Sequence, residues 1–217
     1  MISVQTYYRK RFSSKENINR DILWRLLCSK QFQMYVNQKD TVMDIGAGYC
    51  EFINHIQAKK KIAVDINPDT QKNAQHNIEV LLKSAERIPS HYDGTIDIIF
   101  MSNFLEHLSS KEQVIKVLHR AFHLLKPKGK LIVLQPNIDL VGGHYWDFFD
   151  HIVPLNGESL QEGLRICGFT IEKYIERFLP YTTKSAMLFH PLLVQFYLMV
   201  PPVFRPFAGQ SLFIARK

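Results

Sequence analysis

The sequence predicts an α/β fold built on a doubly wound parallel sheet. Apolar, β-branched runs alternate with segments of helical spacing up to residue 135, a pattern typical of parallel strands joined by right-handed helical crossovers. The first run ends in a glycine turn that leads into a helical segment. At 217 residues the chain is long enough for one such domain. The predicted strands are 41–45, 61–65, 79–83, 95–101 and 129–135, and the predicted helices between them are 51–58, 69–76 and 111–125.

Segments on both sides of this alternating core are also predicted to be ordered. Before the first strand, apolar residues from Ile18 to Val36 recur at the spacing of an amphipathic helix, which we predict over 15–36. After residue 136 the sequence predicts a helix at 157–167 and strands at 169–178 and 210–217.

The turn after the first strand is predicted to bind a nucleoside. Gly46 and Gly48 let a ligand approach the backbone closely, and the first amides of the following helix face that ligand. Asp44 lies two residues before the first glycine, where a carboxylate can hold the turn and meet a cationic ligand group. Asp65 ends the second strand, where it can accept hydrogen bonds from ribose hydroxyls.

Two missing features narrow the choice of nucleoside. A dinucleotide fingerprint needs a small residue at position 51 for close helix–strand packing, but Glu51 occupies it. A phosphate-binding P-loop needs Gly-Lys followed by Ser or Thr, and the sequence contains no such run. An adenosine ligand without a pyrophosphate, carrying a positive centre near Asp44, fits the turn better.

Four ordered motifs resemble those of the class I S-adenosylmethionine-dependent methyltransferases, in particular the small-molecule group of methyltransferase types 11 and 12. They are the glycine turn at 42–51, the segment 84–89 after the third strand, the fourth strand with its Glu-His-Leu loop at 97–108, and the turn into the fifth strand at 125–133. The resemblance covers residues 40–135 well and 136–217 more loosely.

The resemblance implies a Rossmann-like, seven-stranded sheet of order 3-2-1-4-5-7-6, with strand 7 antiparallel. It also implies one methyltransferase domain over 1–217, with a lid helix in 1–38, a cofactor-binding core at 40–135, and an acceptor loop, closing hairpin and inserted apolar helix in 136–217. Tyr7, Tyr8 and Arg9 are weaker candidates for the same lid.

The implied cofactor is S-adenosyl-L-methionine, with S-adenosyl-L-homocysteine as product. Ser84 occupies a position where relatives often carry an acid that accepts from the adenine amino group, and the Ala85 backbone is an alternative contact. Cys50 stands where the family commonly has a third glycine. The predicted cofactor-binding residues are Asp44, Gly46, Ala47, Gly48, Asp65, Ile66, Ser84, Ala85 and Asn103.

The predicted catalytic residues are His107, His144 and His151. His107 follows the fourth strand beside the expected position of the methionine end of the cofactor, although a histidine there could equally cap a helix. His144 and His151 lie with Asp147 and Asp150 in an aromatic-rich loop, where a histidine can accept a hydroxyl proton near neutral pH. The alternative for this loop is a hydrophobic seam. We predict no metal ligands, since the cysteines show no metal-ligand spacing.

The apolar segment 186–204 is nearly long enough to cross a bilayer. His190, Gln195 and the pair Pro201–Pro202 make it a poor span, and a crossing would separate the last strand from its sheet. We therefore predict an inserted helix that packs within the fold, with a dimer or peripheral membrane contact as the alternative.

Composition limits the partners. The net charge of +7 raises the possibility of nucleic-acid binding, but the basic residues are scattered, and Ser102-Asn103-Phe104 replaces the Asn/Asp-Pro-Pro-aromatic turn usual in base N-methyltransferases. We expect no nucleic-acid partner. Three widely spaced cysteines and an N-terminus without a signal-peptide core favour a reduced, cytoplasmic protein.

The sequence thus predicts a methyltransferase (EC 2.1.1.-) that methylates an oxygen of a small-molecule or glycan-type acceptor. A quinone or another apolar acceptor is the close alternative, and a non-catalytic cofactor-binding subunit is a third hypothesis from a different class.

Overall fold

The computed structural model describes residues 14–181 and 191–217. The predictions made for Tyr7, Tyr8, Arg9 and residues 186–190 lie outside these ranges. Within them, the chain divides into two compact units, the first holding residues 14–88 and 191–199 and the second holding 89–181 and 200–217.

The sheet order confirms the predicted fold class. The described residues contain a seven-stranded sheet of order β3-β2-β1-β4-β5-β7-β6. Strand β7 runs antiparallel to both β5 and β6, as predicted for the closing hairpin. The strands are β1 Thr41–Ile45, β2 Lys60–Asp65, β3 Ile78–Leu82, β4 Ile96–Ser102, β5 Leu125–Pro136, β6 Thr170–Pro180 and β7 Ala208–Arg216.

The first unit packs helices α1 (Ser14–Leu27) and α2 (Glu51–His55) around an aromatic core. Phe32 lies 5.9 Å from Phe52 in an edge-to-face pair and 6.2 Å from Trp24 in a stacked pair, both geometries that aromatic rings favour. The parallel strands β1 and β2 are buried along almost their whole length, which agrees with their continuous apolar runs. Helices α3 (Asp69–Asn73) and α7 (Pro191–Met199) complete this unit.

The second unit contains helices α4 (Lys111–Leu124), α5 (Ile138–Val141) and α6 (Gly157–Ile166). Helix α6 begins in a capping box, in which the Asn156 side chain accepts from the Ser159 amide and the Ser159 hydroxyl accepts from the Asn156 amide. These reciprocal bonds explain why the predicted helix at 157–167 begins within one residue of its expected start.

Several predicted element ends were wrong, for local reasons. Helices α2 and α3 stop at His55 and Asn73 because Ile56 and Ala74 adopt extended backbone. The predicted helix 15–36 changes after Leu27 into a π-helix at Cys28–Phe32 and a 3₁₀ turn at Gln33–Tyr35. The wider π turn lets Leu27 and Phe32, which are five residues apart and would point away from each other in a regular α-helix, both be buried.

The turn predicted before the fifth strand is instead a bulge inside β5. Ile96 is opposite Leu125, but Ile98 is opposite Lys130, so between these pairs β5 has four residues and β4 has only one, Asp97. Lys128 takes a left-handed φ of 67° within the bulge, and Lys126 forms a 2.7 Å ion pair with Asp97 across it.

The described part of the apolar segment is helix α7 followed by a 3₁₀ turn at Pro202–Phe204, so the predicted helix is interrupted at the proline pair. Among the described helices, none combines the length and the apolar character needed to span a bilayer.

Candidate functional site

The turn after β1 has the backbone geometry that a closely approaching ligand requires. Gly46 and Gly48 both take left-handed φ angles, 78° and 52°, which glycine adopts without strain. The amides of Gly46 and Ala47 donate to the same carbonyl of Val64, at 2.9 and 3.2 Å, so the turn is fixed to the end of β2. Cys50 precedes helix α2 with a φ of 65°, a left-handed conformation that favours glycine over residues with a Cβ atom.

Asp65 fixes the same turn from the end of β2. One carboxylate oxygen accepts a 2.7 Å hydrogen bond from the Gly48 amide, and the other accepts a 2.8 Å bond from the Asn67 amide. Carboxylate oxygens are also the acceptors that a ligand hydroxyl needs. The next residue, Ile66, exposes 59% of its surface and offers an apolar face beside that carboxylate.

Asp44 is a buried acid in an acidic environment. Burial is the largest cause that raises the pKa of this carboxyl well above its usual range, and the nearby Glu51 and Asp65 raise it further. The Ile53 backbone N–H donates to the carboxyl and partly opposes this shift. A ligand cation at this carboxyl would remove the electrostatic cost, so the first unit has the charge distribution expected for a positively charged ligand.

Two ion pairs hold helix α1 against helix α2. Arg20 lies 2.6 Å from Glu51, and His55 lies 2.7 Å from Asp21. Sequence analysis missed both pairs, because neither has a local spacing signal. They place α1 over the helix that follows the glycine turn, which suits the predicted lid position.

The remaining predicted cofactor residues lie at the ends of β3 and β4. Ser84 is half-buried and precedes a 3₁₀ turn at Ala85–Arg87, in which Ala85 is buried. Asn103 follows β4 with a φ of 46°, a conformation that asparagine tolerates better than most residues, and its amide donates to Leu134 at 2.9 Å.

Two of the three predicted catalytic histidines lie together in the second unit. Glu106, His107 and His151 each present a ligating atom, and these atoms lie within 4.8 Å of one another. The rings of His107 and His151 are 5.0 Å apart in an edge-to-face pair. Glu106 and His151 are buried, whereas His107 is half-buried. Sequence analysis noted the Glu-His pair but did not select Glu106 as a site residue, because nothing local connects it to His151.

Backbone and ring-nitrogen bonds fix this cluster. The amides of Ile152 and Val153 both donate to the Glu106 carbonyl, at 2.8 and 3.1 Å, and so pin the His151 loop to the end of β4. Nδ1 of His107 lies 3.0 Å from the Asp150 carbonyl oxygen, which can only accept, so Nδ1 carries a proton and the lone pair of the neutral ring is on Nε2.

Tyr145 and Tyr181 support the other side of the cluster. The Tyr145 hydroxyl donates to the Val153 carbonyl at 2.6 Å, and burial followed by the nearby Glu106 raises the pKa of that phenol. The Tyr181 hydroxyl lies 3.4 Å from Nδ1 of His151 and 3.4 Å from the Tyr145 carbonyl. Sequence analysis passed over Tyr181, which lies 30 residues from His151 and in no motif.

His144 has a different environment from the other two histidines. Its side chain is 82% exposed and lies 3.0 Å from Asp147 in the 3₁₀ turn Gly142–Asp147. Within the described ranges it contributes no atom to the group formed by Glu106, His107 and His151. Trp146 and Phe149 are also exposed, whereas the Phe148 ring stacks on His151 at 4.9 Å.

Comparison with known proteins gives a family match over most of the chain. Residues 16–174 match the family model described as a methyltransferase domain. Among curated proteins, a ubiquinone/menaquinone biosynthesis C-methyltransferase, UbiE, from Salmonella paratyphi B is 30% identical over 142 residues, which cover 58% of this chain and 55% of that protein. The chain spans about half the length of the curated relatives that it matches.

Solved structures share the fold over nearly the whole chain. A methyltransferase from Thermotoga maritima, described as S-adenosylmethionine-dependent and a possible histamine N-methyltransferase, superimposes with a TM-score of 0.67 at 17% identity, covering 99% of this chain and 100% of that one. A methyltransferase from Archaeoglobus fulgidus, also described as S-adenosylmethionine-dependent, gives 0.63 at 22% identity, covering 91% and 94%. At these identities the likeness shows the fold alone.

Proposed function

This chain belongs to the family of methyltransferase domains and has the class I S-adenosylmethionine-dependent methyltransferase fold, and we propose that it methylates an oxygen of a small hydroxylated acceptor. The observation that carries the oxygen acceptor is the cluster of Glu106, His107 and His151. An alcohol or phenol must lose its proton as the methyl group arrives, and a histidine with a free Nε2 is suited to take it.

The first unit fits S-adenosylmethionine by charge. We propose that the ammonium group of its methionine part binds near Asp44, where the carboxyl is buried among other acids. Asp65 would accept from the ribose hydroxyls, and Ile66 would cover a face of the adenine. When bound, the cofactor supplies a methyl group on a positively charged sulfur, and the departing sulfide is neutral.

The remaining predicted cofactor contacts are kept as part of this proposal. Ser84 and the Ala85 backbone would meet the adenine edge, and Asn103 would contribute from the end of β4. We also retain the single-domain organisation over 1–217, with 40–135 as the cofactor-binding core and 136–217 as the acceptor part.

In the second unit, the chain's own residues would hold and deprotonate the acceptor. Nε2 of His107 accepts the hydroxyl proton while its Nδ1–H stays on the Asp150 carbonyl. The buried Glu106 carboxylate stabilises the imidazolium that forms. A positioned base of this kind contributes about 10²–10⁴ in rate. His144 is kept as a candidate for acceptor contact, since its exposed side chain is available to a ligand.

A second candidate is C-methylation of an apolar quinone-type acceptor. The relative at 30% identity is named as a ubiquinone/menaquinone C-methyltransferase, and an activated phenolic ring also needs its hydroxyl deprotonated.

A long run of exposed apolar side chains also favours an acceptor of low polarity. This apolar segment, residues 192–207, includes Leu192, Leu193, Phe196, Met199, Val203, Phe204 and Phe207, each at least 48% exposed. We propose that it makes a peripheral membrane contact.

The experiment is methyl transfer from isotopically labelled S-adenosylmethionine to a panel of sugars, phenols, quinols and amines, in which each hydroxylated compound is paired with its analogue that has hydrogen in place of the hydroxyl. Fragmentation mass spectrometry then locates the added methyl. Label on oxygen, lost with the deoxy analogue, supports the proposal. Label on a ring carbon favours the second candidate, and label on nitrogen overturns both. Cofactor binding without turnover on any acceptor leaves the non-catalytic subunit.

A further inference from the structure

We propose that Glu106, His107 and His151 form a binding site for one divalent transition-metal ion of the Zn²⁺ class. Sequence analysis predicted no metal ligands, because the three residues follow no motif for a metal site and the last lies 44 positions beyond the second. The fold brings them together by pinning residues 152 and 153 to the Glu106 carbonyl. Metal binding at this site can be measured without any methyl transfer.

The ligating atoms lie near enough to one another to reach a single ion after small side-chain rotations. All three lie within 4.8 Å of one another. In the tetrahedral geometry typical of zinc, bonds of about 2.0–2.2 Å place two ligands of one ion about 3.3–3.6 Å apart. Side-chain rotations that bring the ligating atoms together by at most about 1.5 Å therefore close the site.

The other ring nitrogens of both histidines are already engaged as metal-ligating histidines require. His107 donates Nδ1–H to the Asp150 carbonyl at 3.0 Å, with the Asp150 carboxylate 3.4 Å away. The Tyr181 hydroxyl has one hydrogen, and donating it to the Tyr145 carbonyl leaves the oxygen to accept from Nδ1–H of His151. In the neutral rings both Nε2 atoms then carry lone pairs, and these are the nitrogens that we propose as ligands. A metal-bound histidine usually donates its remote N–H to a carboxylate, a backbone carbonyl or a water, which orients the ring. Here the Asp150 carbonyl does so for His107, and the Tyr181 hydroxyl oxygen takes that place for His151.

The surroundings hold the ligands in place before any ion arrives. The Phe148 ring stacks on His151 at 4.9 Å, and the Tyr145 hydroxyl ties down Val153 at 2.6 Å. Because His151 and Glu106 are buried, the ordering of their side chains has already been achieved on folding.

The ligand set selects the class of ion. Two imidazoles and one carboxylate suit zinc and its transition-metal neighbours, whereas Mg²⁺ and Ca²⁺ favour sites made of oxygen atoms. Three protein ligands leave at least one position open on the ion. Its role rests on the proposed function: with His107 as a ligand, the ion would take over the activation of the acceptor hydroxyl from the imidazole. The hydroxyl proton would then pass to solvent, and the oxygen would form the O–CH₃ bond as the S–CH₃ electron pair returns to sulfur.

The test is direct metal binding to the full chain without an affinity tag. The protein is stripped with EDTA, dialysed and titrated with ZnCl₂ by calorimetry, and separately with Co²⁺ while the visible absorption is followed. We expect one ion per chain and an absorption band for Co²⁺ bound to nitrogen and oxygen. His151→Ala and His107→Ala should each weaken Zn²⁺ binding at least 10–100-fold, the range known for loss of supporting groups alone.

Two further variants sharpen the test. His144→Ala is the matched control, because it removes an exposed histidine of the same loop and should bind Zn²⁺ like the wild type. Glu106→Gln should weaken binding and shift the Co²⁺ band. If it fails to fold, as judged by circular dichroism, the two histidine variants still decide the result.

The outcomes separate this inference from the proposed function. Equal Zn²⁺ affinity in the wild type and His151→Ala overturns the metal site, as does full methyl transfer by EDTA-treated protein that binds no Zn²⁺. In the latter case the proposed function stands. Stoichiometric Zn²⁺ binding that is lost in the histidine variants upholds the site even if none of the hydroxylated acceptors is methylated.

Discussion

The carboxylate of Asp65 accepts a 2.7 Å hydrogen bond from the backbone amide of Gly48, so the acid at the end of β2 closes the glycine turn that follows β1. Sequence analysis assigned both residues to one ligand but did not anticipate a direct bond between them. The bond means that Asp65 shapes the turn as well as offering acceptor sites to a ribose.

Replacing Asp65 by alanine should weaken S-adenosylmethionine binding by about 2–4 kcal/mol, because hydrogen bonds to a charged acceptor and the support of Gly48 are both lost. This corresponds to at least about 30-fold in affinity, measured by calorimetry. Asp40→Ala is the control, since Asp40 likewise accepts a 2.8 Å bond from a backbone amide, that of Asn37, but in a turn with no proposed ligand. Wild-type affinity in Asp65→Ala would remove Asp65 from the cofactor site.

Asp44→Asn should stabilise the protein without cofactor at neutral pH. The folded state raises the pKa of Asp44 above its unfolded value of about 3.9, so the folded protein binds the proton more tightly. Between that value and the raised folded pKa, stability falls as the pH rises. An asparagine carries no charge and can still accept from the Ile53 amide.

The melting temperature of Asp44→Asn should therefore exceed that of the wild type by an amount that grows as the pH rises above about 4 and levels off beyond the raised pKa of Asp44, at about 2–4 °C for each kcal/mol. With saturating S-adenosylmethionine the order should reverse, because only the carboxylate attracts the ligand cation. Asp40→Asn, at a half-buried acid in a turn with no proposed ligand, serves as control. An advantage that does not change with pH would contradict the cause given for the pKa.

Sequence patterns were sufficient for the strands and their order, because a buried parallel strand is marked by its own apolar run and the family resemblance supplied the topology. Sequence patterns did not predict the backbone conformation where tertiary contacts determine it. The π turn after Leu27 depends on burying Phe32 against Phe52, and the bulge in β5 depends on its pairing with β4. Neither partner is visible in the local sequence.

The candidate site residues also divide into those that the local sequence indicates and those that only tertiary contacts bring together. Asp44, Gly48 and Asp65 lie in one short motif and its neighbouring strand, so spacing alone could find them. The grouping of Glu106 with His151 depends on backbone bonds between segments about 45 residues apart. The exposure of His144 follows from its place in a surface 3₁₀ turn, which the aromatic-rich composition of the loop did not indicate.

Cys50 should be one of the few positions where glycine is more stabilising than alanine. Its φ of 65° costs a residue with a Cβ atom about 1–2 kcal/mol, and glycine avoids this cost. We expect Cys50→Gly to exceed Cys50→Ala in free energy of unfolding by about 1 kcal/mol, measured by urea denaturation. Glu162 is an exposed position inside helix α6, where alanine is the better helix former. There Glu162→Ala should exceed Glu162→Gly in free energy of unfolding by about 1 kcal/mol. Alanine favoured at both positions would show that the left-handed turn does not persist in solution.

The apolar segment 192–207 should bind anionic lipid vesicles. Phe196 and Phe204 are 69% and 73% exposed, and the net charge of the chain is +7, so apolar insertion and charge attraction act together. Full burial of one such ring contributes about 1.5–3 kcal/mol. Phe196→Ser and Phe204→Ser should therefore each reduce binding about 10-fold or more in a vesicle sedimentation assay.

Met34→Ser is the matched control for the vesicle assay, because Met34 is 72% exposed but lies outside the segment. High salt should weaken binding of the wild type, since charge attraction to the lipid is screened. The alternative partner is a second copy of this chain. Sedimentation velocity that shows a dimer dissociated by Phe196→Ser, together with no vesicle binding by the wild type, would assign the segment to self-association and remove the membrane contact.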